Sequence, residues 1–281
     1  MNKLSSYRIR GWIKQAIKYV ILLAFFGFVI LPIYWVIATS LKAAPNVVAW
    51  PPQWIPNPVS FESYATAFRL LPIGRFFLNS VIIAAVLMAS NVVLCSIAGY
   101  TFARKKFRGR GVLFALVLSS MMVPLHIRII PMYMVALKLG LDNTYAGIVL
   151  PIAATGFGIF MMRQFFLTLP VEVEDAARVD GCGEWGVIFR IVLPMSRPAI
   201  TSLALFALVW SLEDFLWPLI ITSTTAMRPL PVGITLFVGL VVYEWGSLMA
   251  VTTLAIVPMI IVFMLLQRQF VRGLTAGAVK G

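Results

Sequence analysis

Long apolar runs alternate with short polar breaks along this chain, and the lengths of the runs decide what they can be. A helix crossing a bilayer needs about twenty predominantly apolar residues. Tyr19–Leu41, held between Lys18 and Lys42, has that character, as do Phe76–Ala103, Gly111–Ile127, Asn143–Met162, Ala199–Ile221 and Trp245–Gln267. The pattern predicts an all-α, polytopic membrane protein of about six transmembrane helices. The first run is too long for the apolar core of a cleaved signal peptide, and no clear small-x-small site follows it. Pro124 and Pro131 bracket His126 and Arg128, which predicts a break in the third span near the external surface. A further apolar stretch within 229–244 is short for a span and reads as a re-entrant or interfacial helix.

One polar island interrupts the apolar runs: Leu169–Pro198, LPVEVEDAARVDGCGEWGVIFRIVLPMSRP. Its acids Glu172, Glu174, Asp175, Asp180 and Glu184 are half of the ten in the chain. Charges of this density are expelled from lipid, so the island faces water between two spans. Pro170 suits the first turn of a helix, and the acids that follow complement its N-terminal end. Ala176 and Ala177 form a small patch that another surface can approach. Gly181 and Gly183 supply the left-handed turn that ends such a helix. A second short helix is predicted over about Glu184–Val192, stopping before Pro194, and Pro198 opens the fifth span. The island is thus a helix–turn–helix elbow outside the membrane, suited to docking a soluble partner.

Composition agrees with this class: 61% of residues are hydrophobic and 12% charged, half the charge of an average soluble domain. The net charge of +13 raises nucleic acid as a partner, but the basic residues lie beside apolar runs and act as topology determinants instead. Lys3, Arg8, Arg10, Lys14 and Lys18 precede the first span; Arg104, Lys105, Lys106, Arg108 and Arg110 follow the second. Arg163, Arg178, Arg190 and Arg197 flank or lie in the island, and Arg268, Arg272 and Lys280 end the chain. Six spans place all four groups on one side, so both termini and the elbow are expected in the cytoplasm. The chain divides into a basic tail (1–18), a first transmembrane helix (19–41), an external Trp- and Pro-rich loop (42–75), a membrane core (76–270) carrying the cytoplasmic loop 168–198, and a cytoplasmic C-terminal tail (271–281). Cys95 and Cys182 fall in a span and in the island, so no disulfide is expected. His126 is the single histidine, and no zinc-type cluster exists in the sequence.

Asp175-Ala176-Ala177-x-x-Asp180-Gly181, followed by Ile191-x-Leu193-Pro194, resembles the "EAA" loop of permease subunits of binding-protein-dependent ABC importers, with Asp175 standing where that family usually has Glu. The stretches AGYTFARKKFRGRG (98–111), LGLDNTYAGIVLP (139–151), FFLTLP (165–170) and QRQFVRGLTAGAVKG (267–281) resemble its carbohydrate, MalG-like branch. The resemblance implies a bacterial inner-membrane permease for a sugar or oligosaccharide. It would pair with a second homologous permease, two ATPase subunits and an extracytoplasmic solute-binding protein, surrounded by membrane lipid. Glu174, Asp175, Ala176, Ala177, Asp180 and Gly181 would couple to the ATPase. ATP and Mg would be bound by that partner and no cofactor by this chain, which contains no GxxxxGK[ST] loop.

Glu213 and Asp214 interrupt the fifth apolar run, and carboxylates at membrane depth face a cavity or a partner. In a sugar permease they would bond hydroxyls while Trp210 or Trp217 stacks on a ring. Asp214-Phe215 fits the family pattern at this point, and Trp210, Glu213, Asp214, Phe215 and Trp217 form the candidate substrate pathway. An interhelical polar pair or a contact to the partner permease is the competing role. Asn79 and Asn91 are expected to bond between helices. A membrane-embedded enzyme using Glu213 and Asp214 as acid and base lacks a second catalytic group, and a channel without ATP coupling has no use for the elbow. No catalytic or metal-binding residue is therefore assigned. Glycerol phosphate or a polyol is the alternative cargo, although phosphate would favour a basic pathway.

Overall fold

The structure is a computed structural model. It describes the backbone of residues 3–239 and 244–276, and side chains over 12–238 and 244–264. Among these residues the regular structure is helical, apart from an isolated antiparallel bridge between Lys42 and Val59. Three helices are each long and apolar enough to cross a membrane: Trp12–Ser40, Ile73–Arg104 and Trp245–Met264. Three further candidates are bent pairs: Arg110–Met122 with Leu125–Lys138, Tyr145–Ile152 with Gly156–Thr168, and Glu184–Met195 with Arg197–Glu213. Counting each pair once gives six.

The bends correct several boundaries. The third run does not continue to Ile127. Val123 is extended and Pro124 opens a new helix, Leu125–Lys138, at 109° to the first. The fourth span bends by 45° and runs on to Thr168. The fifth ends its helix at Glu213, and Leu216–Ile221 is a separate short helix. The predicted second elbow helix does not stop before Pro194: it reaches Met195, with a π-helical stretch over Val187–Val192. Leu230–Gly239, ten residues long, lies in the stretch expected to be re-entrant, whose residues 240–243 fall outside the described ones. The basic side chains of Arg268, Arg272 and Lys280 also lie outside them.

The chain divides into two compact units. The first comprises residues 1–71 and 237–254. Within it the predicted external loop carries a helix, Glu62–Leu70, and Trp50 is almost fully exposed. Lys42 is buried with its ammonium 4.0 Å from the centre of the Trp35 ring, which itself meets Trp54 edge-on at 5.2 Å. Burial pushes the Lys42 ammonium below its usual pKa.

The second unit comprises residues 72–236 and 255–281 and carries both candidate sites. Its centre is the unbroken Ile73–Arg104 helix, packed on Gly156–Thr168. Gly99 makes the close approach possible, because a Cβ there would lie 2.8 Å from Met162 Cβ and 2.9 Å from the Arg163 nitrogen. Small residues at such crossings are the usual means of packing helices in lipid. One apolar cluster joins Cys95, Tyr100, Met162, Phe166, Val187, Val192 and Leu203; a second joins Ile83, Leu87, Ile148, Trp217 and Ile221. Asn79 and Asn91 bridge helices as expected. Asn79 Nδ2 donates to the carbonyls of Ala226 and Arg228, and Asn91 Nδ2 donates to that of Ile152. Cys95 and Cys182 are both free.

Candidate functional site

The elbow begins at Pro170, whose extended backbone precedes the helix Val171–Val179. The helix ends in two bonds: Gly181 N–H to the Arg178 carbonyl at 3.0 Å, and Cys182 N–H to the Ala177 carbonyl at 2.9 Å. This paired ending needs a residue in the left-handed region, and Gly181 takes it with φ +82°. The chain then turns into Glu184–Met195, whose Val187, Ile188 and Val192 are buried in the cluster with Tyr100 and Phe166.

The two faces of the elbow differ. Outward lie Asp175, Ala176, Val179 and Asp180, together with Trp185 and Phe189, whose rings stack 6.0 Å apart. That aromatic pair was missed from sequence, where both residues were simply part of the short helix over about Glu184–Val192. Glu174 faces inward instead and is only 2% exposed. Its Oε1 accepts Arg104 Nε at 2.7 Å, and its Oε2 accepts the Tyr100 hydroxyl at 2.9 Å and Arg178 Nη2 at 3.3 Å. Arg104 Nη2 also donates to the Leu169 carbonyl at 2.7 Å. Of the six residues assigned to ATPase coupling, Glu174 is thus the one turned into the molecule, whereas Ala177 is half-buried against the cluster below. Arg178 pairs with Asp175 at 2.8 Å and Glu184 at 3.4 Å, and Lys105 pairs with Glu184. The hydrogen bond from Lys105 holds the Glu184 carboxyl below its ordinary pKa.

The second site is a cavity of about 380 Å³ lined by Asn91, Arg128, Thr155, Trp210, Ser211, Glu213 and Asp214 among others. It brings together three of the five candidate pathway residues. Trp210 is the aromatic side chain of the lining, and its ring meets that of Phe157, outside the lining, at 5.4 Å. Asp214 follows directly on the end of the Arg197–Glu213 helix and is half-buried in the lining. Glu213 and Arg128 line the same cavity, and among the described residues neither has an ion-pair partner within 4 Å. Ser211 Oγ is buried with no hydrogen-bond partner. Arg128 and Ser211 were not foreseen, because Arg128 comes from a different helix and a serine beside two acids carries no signal of its own. Trp217 does not belong to the cavity: it is fully buried, and its Nε1 donates to the Ile148 carbonyl at 3.1 Å. Phe215 is half-buried and absent from the lining.

An elbow between spans and a charged cavity inside the helical core are the parts of a transport protein. Residues 93–276 match the family described as binding-protein-dependent transport system inner membrane component. The chain belongs to that family. The permease is similar to the arabinooligosaccharides transport system permease protein AraQ of Halalkalibacterium halodurans, with 38% identity over 73% of this chain and 74% of that protein. It is 30% identical to the sn-glycerol-3-phosphate transport system permease protein UgpE of Rhizobium meliloti, over 88% of this chain and 90% of that one. A solved bacterial ABC transporter involved in the import of the acidic polysaccharide alginate shares the fold of the permease. Its TM-score is 0.85 at 21% identity, covering 94% of this chain and 98% of the other. The family is one of transport components, which accords with an all-α membrane protein without a catalytic role.

Proposed function

We propose that this permease imports a sugar or oligosaccharide, driven by ATP hydrolysis in a separate subunit that docks on the elbow. The observation that carries the reading is the two-faced elbow: one face is pinned into the core while Asp175, Ala176 and Asp180 are left exposed at a glycine-locked turn. A surface so ordered is organised for a partner. A second homologous permease completes the pathway, two ATPase subunits bind the ATP and Mg, and an extracytoplasmic solute-binding protein delivers cargo. Both termini and the elbow face the cytoplasm, in accord with the distribution of basic residues. Closure of the ATPase pair biases a membrane element with two arrangements.

For cargo, the cavity offers what a sugar ring needs. It has an aromatic wall at Trp210, carboxylate acceptors at Glu213 and Asp214, and unengaged groups at Ser211 and Arg128. Its size lies within the range of small-molecule pockets, roughly 300–1,000 Å³. Arg128 is the one observation that favours glycerol phosphate, and the two carboxylates beside it weigh against an anion. The test is uptake by the reconstituted importer of a labelled neutral oligosaccharide against glycerol 3-phosphate. Saturable, ATP-dependent uptake of the first is expected. Uptake of the second alone would overturn the cargo assignment, and failure of the permease to copurify with any ATPase would overturn the coupling.

A further inference from the structure

We propose that Glu174 is the joint through which the elbow moves the Ile73–Arg104 span, with Arg104 as its other half. The proposal rests on the coupling reading above and names the route by which motion reaches the cavity. Glu174 carries the inward face of the Val171–Val179 helix and is bonded by Arg104, Tyr100 and Arg178. Arg104 grips the elbow twice, at Glu174 and at the Leu169 carbonyl where the chain enters it. Tyr100, one turn earlier on the same span, adds the hydroxyl bond and packs edge-on against Phe166 at 5.9 Å. A buried charge cannot leave such a site without stranding its partner, so the elbow and this end of the span are held as one body.

The alternative route is poorer. The elbow also continues directly into Arg197–Glu213, but through an 81° bend at Ser196. A bend absorbs motion. The Ile73–Arg104 helix has no proline and no break over 32 residues. At 1.5 Å per residue it is about 48 Å long, against a hydrocarbon core of about 30 Å. Its Arg104 end therefore reaches the water-facing side, where the elbow sits. Asn91, thirteen residues earlier and about 20 Å along the axis, lines the cavity with Leu87. Displacing the clamp displaces the cavity wall without any hinge between them. The exposed Asp175, Ala176 and Asp180 receive the push, and Glu174 passes it inward.

The test uses the whole importer, with its partner permease, ATPase and binding protein, in proteoliposomes. In Glu174→Gln the complex is expected to retain its ATPase and hydrolyse ATP while uptake falls at least tenfold. Uptake at the wild-type rate would overturn the joint. A second variant guards against misfolding: Arg104→Cys with Glu174→Cys, in a background of Cys95→Ala and Cys182→Ser. Without a bridge it is expected to transport poorly. Joining the two thiols with a short bifunctional crosslinker is expected to restore at least half of the uptake, because the joint stays closed throughout the cycle. Uptake that remains at the floor after bridging, in complexes that still carry the ATPase, overturns the proposal. A wild-type permease that holds no ATPase would sink the coupling reading instead, so the two failures are distinguishable.

Discussion

Glu174 and Glu213 are the same side chain in opposite situations. Glu174 lies beneath the elbow, nearly inaccessible, with both oxygens engaged by Arg104, Tyr100 and Arg178. Glu213 lines a cavity, half a turn from an unpartnered Ser211 and facing the same space as an unpaired Arg128. Around the elbow every acid but Glu172 and Asp180 is in an ion pair; around the cavity the acids and the base remain apart. Saturated charges hold a shape, and unsaturated charges are left for something that arrives. On the proposed reading, the contrast separates the part of the permease that would transmit force from the part that would meet cargo.

The contrast can be broken most severely at Gly181. A proline ring fixes φ near −65°, which is incompatible with the φ of +82° found there. Gly181→Pro is expected to reduce uptake to background while the protein still reaches the membrane, as read by transport assay and membrane immunoblot. Wild-type uptake would refute the elbow's role. Next in size is Glu213→Gln on the cavity side. A hydrogen bond to a charged group contributes about 1.5–3 kcal/mol, so the half-saturating sugar concentration should rise about tenfold or more. Assembly with the ATPase should be unchanged, and an unaltered half-saturation would place Glu213 among structural residues. Asp214→Ala should do less. It removes a half-buried carboxylate from the cavity lining and should lower maximal uptake modestly in the transport assay, with assembly unchanged.

The smallest effect is one of pH. The Glu184 carboxyl is held below its ordinary range by Lys105, so its contribution to folding is present above the unfolded value, about 4.3, and fades as pH falls through the lower folded value. The amide-exchange protection factor of the elbow, with the intrinsic pH dependence of exchange divided out, should therefore be constant from pH 8 to about 5 and fall in stronger acid. Lys105→Ala should shrink that acid-dependent step, leaving the part due to Arg178, and cost less than about 1 kcal/mol, since the pair is largely exposed. A protection factor in Lys105→Ala with the same acid dependence as the wild type would show that another group titrates.

Much of this was legible along the chain. The apolar runs located the membrane helices, Pro170 and Gly181 marked the first elbow helix at both ends, and Pro124 announced a break. What the sequence could not express was direction. Glu174 stands in a cluster of acids that reads as one solvated face, and its partner Arg104 lies seventy residues away. Trp217 has the same local surroundings as Trp210, yet one packs against Ile148 and the other borders a cavity, a difference set by where the helix ends at Glu213. The 45° bend in the fourth span was not foreseen, although Pro151 lies in the turn just before it, and at the 81° bend Pro194 and Pro198 marked a boundary without giving its angle.

The wide π-helical stretch over Val187–Val192 has a consequence for evolution as well as for mechanics. A turn closed by i→i+5 bonds stores one residue more than an α turn. Losing a single residue there would tighten the coil to ordinary pitch and leave the flanking faces in phase, whereas the same loss within Val171–Val179 would rotate everything beyond it by about 100°. Chain length is thus elastic by one position on the far limb of the elbow and rigidly indexed on the near one.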